Sequence, residues 1–141
     1  LSEGAVYLDA SALTKLFLLE PESRGLIDYL AANDRWVSSS LVRVEVQRAL
    51  RPVGAPQAKA VEARLRMETL ELRGLTEELV AAAERVEPVD LCALDAIHLA
   101  TALELASSLS AFVCYDRRLG AAATFHGLPL VAPGANAIHE P

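Results

Sequence analysis

Two short apolar runs, Ala5-Val6-Tyr7-Leu8 and Ala111-Phe112-Val113-Cys114-Tyr115, each end directly on an aspartate, Asp9 and Asp116, and each is followed by a helical pattern. A continuous apolar run of this length, bounded by polar residues, marks a strand buried on both faces, as parallel sheets require. Trp36-Val37-Ser38 reads as another strand, Glu71-Leu72-Arg73 as a short one and Leu128-Pro129-Leu130-Val131 as the last. Helices fill the intervals. Ser11 is placed to cap one continuing through Leu13, Leu16 and Phe17, which Pro21 interrupts. A second helix follows with Leu26, Ile27 and Leu30 on one face, and Ser39 or Ser40 caps a third from Leu41 to about Leu50. Arg51 to Pro56 is a breaker segment rather than a domain linker, and 57–70 reads as a charged, exposed helix. Thr76 caps a helix to about Val86, 91–106 is apolar almost all round, and a short helix spans about Arg117 to Ala123.

Strands alternating with helices predict an α/β fold with a central parallel sheet of four to five strands, flanked by helices on both faces. A chain of 141 residues fits one domain with a core that needs no staples. The domain is expected to run over 1–131, with 132–141 as a loose C-terminal tail. The hydrophobic fraction of 52 % and mean hydropathy of +0.27 exclude a disordered chain. No apolar run approaches the roughly 18 residues of a membrane span. The N-terminus lacks the basic and apolar regions of a secretory signal. Cys92 and Cys114, both in apolar context, read as reduced core thiols, so a cytoplasmic location is expected. A net charge of -6 argues against coating nucleic acid by bulk positive field, although divalent cations on a carboxylate cluster would offset about four of those charges.

Four acids occupy positions where acids are expensive. Ligands of open parallel sheets sit beyond the carboxyl ends of the strands, which is where Asp9 and Asp116 stand; an aspartate there also serves as an N-cap or turn residue. At about 100° per residue, Glu45 falls on the apolar side of its helix with Leu41, Val42 and Ala49, away from Arg43 and Gln47. A carboxylate buried there needs a cation, a proton or an arginine partner. Asp95 lies between Ala102 and Ala106 on its helix wheel, opposite Glu104, and so faces inward. His98, one turn on, could ligate or could hydrogen-bond within the core, and an otherwise apolar helix favours the core role. Four acids brought together would repel one another unless a counter-cation is present. Hard oxygen ligands without a His or Cys set suit Mg²⁺ or Mn²⁺, the usual machinery for hydrolysing phosphodiesters. In that scheme Asp9, Asp95 and Asp116 hold the ion, while Glu45 orients or deprotonates the attacking water or helps hold a second ion. Lys15, Arg43, Arg48, Arg117 and Arg118 are candidate contacts to a phosphodiester backbone, or else solvated surface charges or bridges to Glu. Leu13, Leu16, Phe17 and Leu65 could serve partner contacts, although core packing explains most of them.

The segments Val6-Tyr7-Leu8-Asp9-Ala10-Ser11-Ala12-Leu13, Ser39-Ser40-Leu41-Val42-Arg43-Val44-Glu45, Leu94-Asp95-Ala96-Ile97-His98-Leu99-Ala100-Thr101-Ala102 and Phe112-Val113-Cys114-Tyr115-Asp116-Arg117-Arg118-Leu119 together resemble the PIN domain. More closely, they resemble the toxin ribonucleases of the VapC type from bacterial toxin–antitoxin pairs. The resemblance runs in order over nearly the whole chain. It implies a PIN-like three-layer sandwich and an acidic pocket for Mg²⁺ or Mn²⁺ formed by Asp9, Glu45, Asp95 and Asp116. It also implies cleavage of tRNA or ribosomal RNA, inhibition by a cognate antitoxin, a homodimer and a toxin–antitoxin hetero-oligomer. Ser11 matches the family's small polar position, whereas Cys114 stands where the family often has Thr or Ser, which puts the supporting role of a hydroxyl there in question. The competing readings are a PIN nuclease of RNA processing without an antitoxin and a non-catalytic module using its acidic cleft to bind a partner. A phosphoacceptor domain is disfavoured because position 11, the second after Asp9, is Ser rather than Asp.

Overall fold

The computed structural model describes residues 4–135. Strand β1 (Ala5–Leu8) leads through α1 (Ala10–Thr14) and α2 (Ser23–Ala31) to β2 (Trp36–Ser39). Helices α3 (Val42–Leu50) and α4 (Gln57–Met67) precede β3 (Glu71–Arg73); α5 (Glu77–Arg85) and α6 (Ala93–Glu104) precede β4 (Leu109–Val113); α7 (Arg117–Phe125) leads to β5 (Leu130–Val131). All strand pairs are parallel, in the order β3-β2-β1-β4-β5. This is the PIN-like α/β sandwich expected, with five strands flanked by seven helices among the described residues.

The order places the topological switch between β1 and β4. From the centre the chain first builds outward through β2 and β3, then returns to the other side of β1 with β4 and β5. The connections leaving β1 and β4 diverge, and a cleft opens between them at the strands' carboxyl ends. Residues alternate between layers along β1. Val6 and Leu8 pack with Leu13, Leu26, Val42, Val46 and Met67 against α1–α4, while Ala5 and Tyr7 pack with Leu99, Phe112, Leu119 and Ala123 against α6 and α7. Both faces being covered explains why these strands read as unbroken apolar runs.

Several local expectations are corrected. The strand expected over 111–115 runs over Leu109–Val113, so Cys114 and Tyr115 belong to the connection before Asp116. Helix α1 is capped not by Ser11 but by Asp9, which accepts from the Ala12 amide, and it ends at Thr14. Leu16 and Phe17 continue it as tight turns bonded three residues back. Neither Ser39 nor Ser40 caps α3: Leu41 stands at the N-cap, and Ser39 Oγ accepts from its amide instead. Thr76 caps α5 as expected, accepting from Leu79 N. Ile27 is 48 % exposed, because only Leu26 and Leu30 of its helix reach the core. Cys92 is exposed at the N-terminus of α6, where a thiol gains no burial, whereas Cys114 is buried. Of the expected tail, Ala132–Ala135 form a turn seated on α2: a Cβ on Gly25 would come within 2.8 Å of Gly134 Cα, and Gly134 itself has φ +83°. Residues 136–141 lie outside the described residues. Among the described residues no helix is long and apolar enough to cross a membrane.

Candidate active site

Asp9 follows β1 into the cleft and is 3 % exposed. Its Oδ1 accepts from the Ser11 hydroxyl at 2.7 Å and from Ala12 N at 3.0 Å. Burial pushes its carboxyl above the ordinary aspartate range, opposed by the Ser11 bond, the charge of His98 and the Ala12 amide. Ser11 Oγ in turn accepts from Tyr115 N at 3.0 Å, so one hydroxyl ties the connection after β1 to that after β4. Ser11 therefore supports Asp9 rather than capping a helix. The capping and metal-binding readings of Asp9 are compatible, since the helix amide and Ser11 share one carboxylate oxygen.

Asp116 is the counterpart after β4. It is exposed, and its Oδ1 accepts from Leu119 N at 2.9 Å as the N-cap of α7. Asp95, in the first turn of α6, is half-buried. Its carboxyl is raised, first by burial and then by the negative charges of Asp116 and Glu45, against the opposing influence of Cys92 and His98. Cys114 is buried beneath this group; its Sγ lies 3.5 Å from the Asp116 carbonyl, and burial together with Asp9 holds the thiol protonated.

Glu45, with its side chain 18 % exposed, has no arginine partner; its Oε1 lies 2.8 Å from His98 Nε2. His98, 1 % exposed, places Nδ1 2.8 Å from Tyr7 Oη. Burial raises the Tyr7 hydroxyl far above its usual value, so Tyr7 stays protonated at its contact with Nδ1. Because a carboxylate only accepts, Nε2 is the donor to Glu45. The Tyr7–His98–Glu45 chain runs from the central strand through α6 to α3 and fixes one acid of the site. Sequence reasoning placed His98 in the core but missed this chain. Its signal was a tyrosine at an inward position two residues before Asp9 and a histidine one turn after Asp95.

Asp95 feels both Asp116 and Glu45, and His98, bonded to Glu45, acts on Asp9 and Asp95, so the four acids are electrostatically connected. They do not form a closed cage: among the described residues no three acidic, histidine or cysteine side chains already converge as a metal-binding group. No lysine or arginine among the described residues is ion-paired with Asp9, Asp95 or Asp116.

The basic candidates divide. Lys15 is engaged: its Nζ lies 2.6 Å from Glu20 and 3.3 Å from Glu22, and 4.7 Å from the centre of the Tyr115 ring. It braces α1 rather than offering a free charge to RNA. Arg43 and Arg48 line a groove of about 1000 Å³ between α3 and α4, together with Arg51 and Arg64. The last two were missed because they lie in the breaker segment and on a helix read only as charged surface. Arg117 and Arg118 are exposed in the first turn of α7, directly after Asp116.

A five-stranded parallel sheet with carboxylates at its switch point defines a PIN-like α/β protein. The PIN domain profile matches residues 6–124, and the chain belongs to that family. Within it the chain groups with VapC ribonucleases. It is 39 % identical over 134 residues to Ribonuclease VapC47 of Mycobacterium tuberculosis, covering 92 % of this chain and 98 % of the relative. It is 41 % identical over 130 residues to Ribonuclease VapC46 of the same species, with the same coverage. Two solved structures share the fold. Mycobacterium tuberculosis VapC20, described as a Sarcin-Ricin loop cleaving toxin, superposes with a TM-score of 0.71 at 16 % identity, over 91 % of this chain and 99 % of that one. A toxin–antitoxin complex from Klebsiella pneumoniae gives 0.65 at 19 % identity, over 91 % and 97 %.

Proposed function

We propose that this protein is a metal-dependent endoribonuclease acting as the toxin of a toxin–antitoxin pair. One observation carries the reading: Asp95 is raised first by burial and further by the charges of Asp116 and Glu45, and neither Lys nor Arg among the described residues is ion-paired with Asp9, Asp95 or Asp116. Unneutralised carboxylates facing one cleft call for a hard cation. The donor set fits Mg²⁺ or Mn²⁺, with oxygens from Asp9, Asp95 and Asp116 and Glu45 at the margin, while the imidazole of His98 is already committed to Tyr7 and Glu45. When bound, the ion supplies charge neutralisation and polarisation of a phosphate oxygen.

The chain's own groups supply the rest. Glu45, held by His98, is placed to orient the attacking water and take its proton. Ser11 holds Asp9 in place and joins it to the connection after β4 that carries Asp116. Arg43, Arg48, Arg51 and Arg64 offer a basic track for the RNA backbone along the helix that carries Glu45. Water as nucleophile leaves a 5′-phosphate and a 3′-hydroxyl. Structured RNAs such as tRNA or ribosomal RNA are the proposed substrates, in keeping with what the VapC20 structure is described as cleaving.

Partnership with an antitoxin is supported by the VapC relatives and by the Klebsiella complex. A cavity of about 460 Å³ bounded by Leu16, Phe17, Ile27 and Leu65 offers such a partner an apolar seat. Leu13, by contrast, is fully buried in the core. A homodimer and a toxin–antitoxin hetero-oligomer are proposed assemblies. The test is incubation with total RNA and Mg²⁺, against chelator and Asp95→Asn, with the cut ends mapped. Cleavage that survives chelation, or a 2′,3′-cyclic phosphate product, would refute the scheme.

A further inference from the structure

Between the loop that leads into α6 and the helix α7 is a second hollow that the hydrolytic chemistry leaves unused. Pro88, Leu91, Ala121, Ala122 and Phe125 line a cavity of about 370 Å³ whose polar lining includes Arg118 and Asp90. That volume falls in the roughly 300–1,000 Å³ range of small-molecule sites. Both of its walls belong to segments that carry site acids: the loop leading into α6, which bears Asp95, and the face of α7, whose N-cap is Asp116. Arg118, Ala121, Ala122 and Phe125 recur at positions i, i+3, i+4 and i+7, so they share one helix face. Phe125 lies roughly 10 Å along the axis from Arg118.

Phe125 is 76 % exposed, a large aromatic ring outside both cores. It is nevertheless held. The His126 ring meets it edge-on with centroids 5.2 Å apart, and His126 Nε2 donates to the Glu87 carbonyl at 2.8 Å. One imidazole therefore fastens the loop to the end of α7 and backs the phenyl ring, which presets the cavity's shape. A flat aromatic over a floor of small apolar side chains, with a guanidinium at the end nearer the acids, is a combination suited to single-stranded nucleic acid.

We infer that this cavity receives a nucleobase of the RNA strand next to the phosphate being cut, with Phe125 stacking on the base and Arg118 engaging an adjoining phosphate; the inference rests on the nuclease reading above. Glu87 and Asp90 bring acceptors to a lining that also holds Arg118, and acceptors at a base edge favour an exocyclic amino group over uracil.

The test uses the full chain in an Asp95→Asn background, where cleavage is switched off, with oligoadenylate and oligouridylate as probes. The parent variant binds oligoadenylate more tightly; adding Phe125→Ala weakens that binding by about tenfold and levels the two probes, and Phe125→Trp restores the preference. Thermal melting shows that the variants remain folded, as the exposure of Phe125 leads one to expect. Unchanged affinities in Phe125→Ala overturn the inference. So does a changed sedimentation mass with unchanged RNA binding, which would assign the cavity to a protein partner. Cleavage of total RNA by the unaltered protein is scored in parallel. Cutting that is insensitive to Phe125 sinks the cavity alone, whereas Phe125-dependent binding without cutting sinks the nuclease reading alone.

Discussion

Asp9 and Asp116 follow the two adjacent strands that border the switch point, Asp9 directly and Asp116 after Cys114 and Tyr115, and each caps the next helix through Oδ1. Their surroundings differ. Asp9 is buried, bonded to Ser11 and raised by desolvation, whereas Asp116 is open to solvent. The same local motif yields a fixed acid and an adaptable one because β1 is the central strand and Asp9 is roofed by Ser11 and Cys114, while Asp116 begins a helix at the surface. We propose that the fixed acid sets the position of a divalent ion and that the exposed one adjusts to it.

The comparison can be broken most directly by Asp9→Asn. Cleavage should fall by at least about a thousandfold while the fold persists, because Asn still offers an oxygen to Ala12 N. Asp116→Asn should also abolish most activity, and excess Mn²⁺ should recover more of it than in Asp9→Asn; equal recovery in the two variants would erase the distinction between fixed and adaptable acids. His98→Ala removes the link between Tyr7 and Glu45. The rate constant should drop by roughly 10- to 100-fold with little change in KM, and the orphaned Tyr7 hydroxyl should lower stability by about 1–3 kcal/mol, measured by urea unfolding.

A smaller effect concerns pH. Asp95 has a folded-state pKa above the ordinary 3.8, so the folded chain binds more protons than the unfolded one across that window. Its contribution to stability is therefore full below the ordinary value and lost as pH rises through the raised one. In the absence of divalent ions, Asp95→Asn should melt higher than the unaltered chain at pH 7, and the difference should vanish as the medium is acidified. The smallest expected effect is Arg48→Ala, which should weaken RNA binding a few-fold and reduce the slope of log affinity against log salt by about 0.7.

Much of this was legible in the sequence, for identifiable reasons. Strands covered on both faces leave unbroken apolar runs, so β1 and β4 announced themselves, and the acids at their ends followed. Glu45 and Asp95 were visible because a charge among apolar residues at helical spacing stands out. What escaped depended on partners distant along the chain. Ser11 looked like a cap because nothing local reveals that its hydroxyl meets Tyr115 N, whereas the local alternative read for Lys15, a bridge to Glu, is the one it adopts with Glu20 and Glu22. The end of β4 was misplaced because Cys114 and Tyr115 are as apolar as the strand, yet their burial comes from the crossing connections rather than from strand pairing.

The placement of β1 also bears on how the molecule comes into being. Its register partners on one side are in β2, but on the other Tyr7 waits for Phe112. During synthesis the middle of the sheet therefore keeps one open edge until almost the entire polypeptide has emerged, and the final acid arrives later still. Prematurely terminated fragments would lack half of the hollow, so a cell making this protein would be exposed to its chemistry only from finished copies.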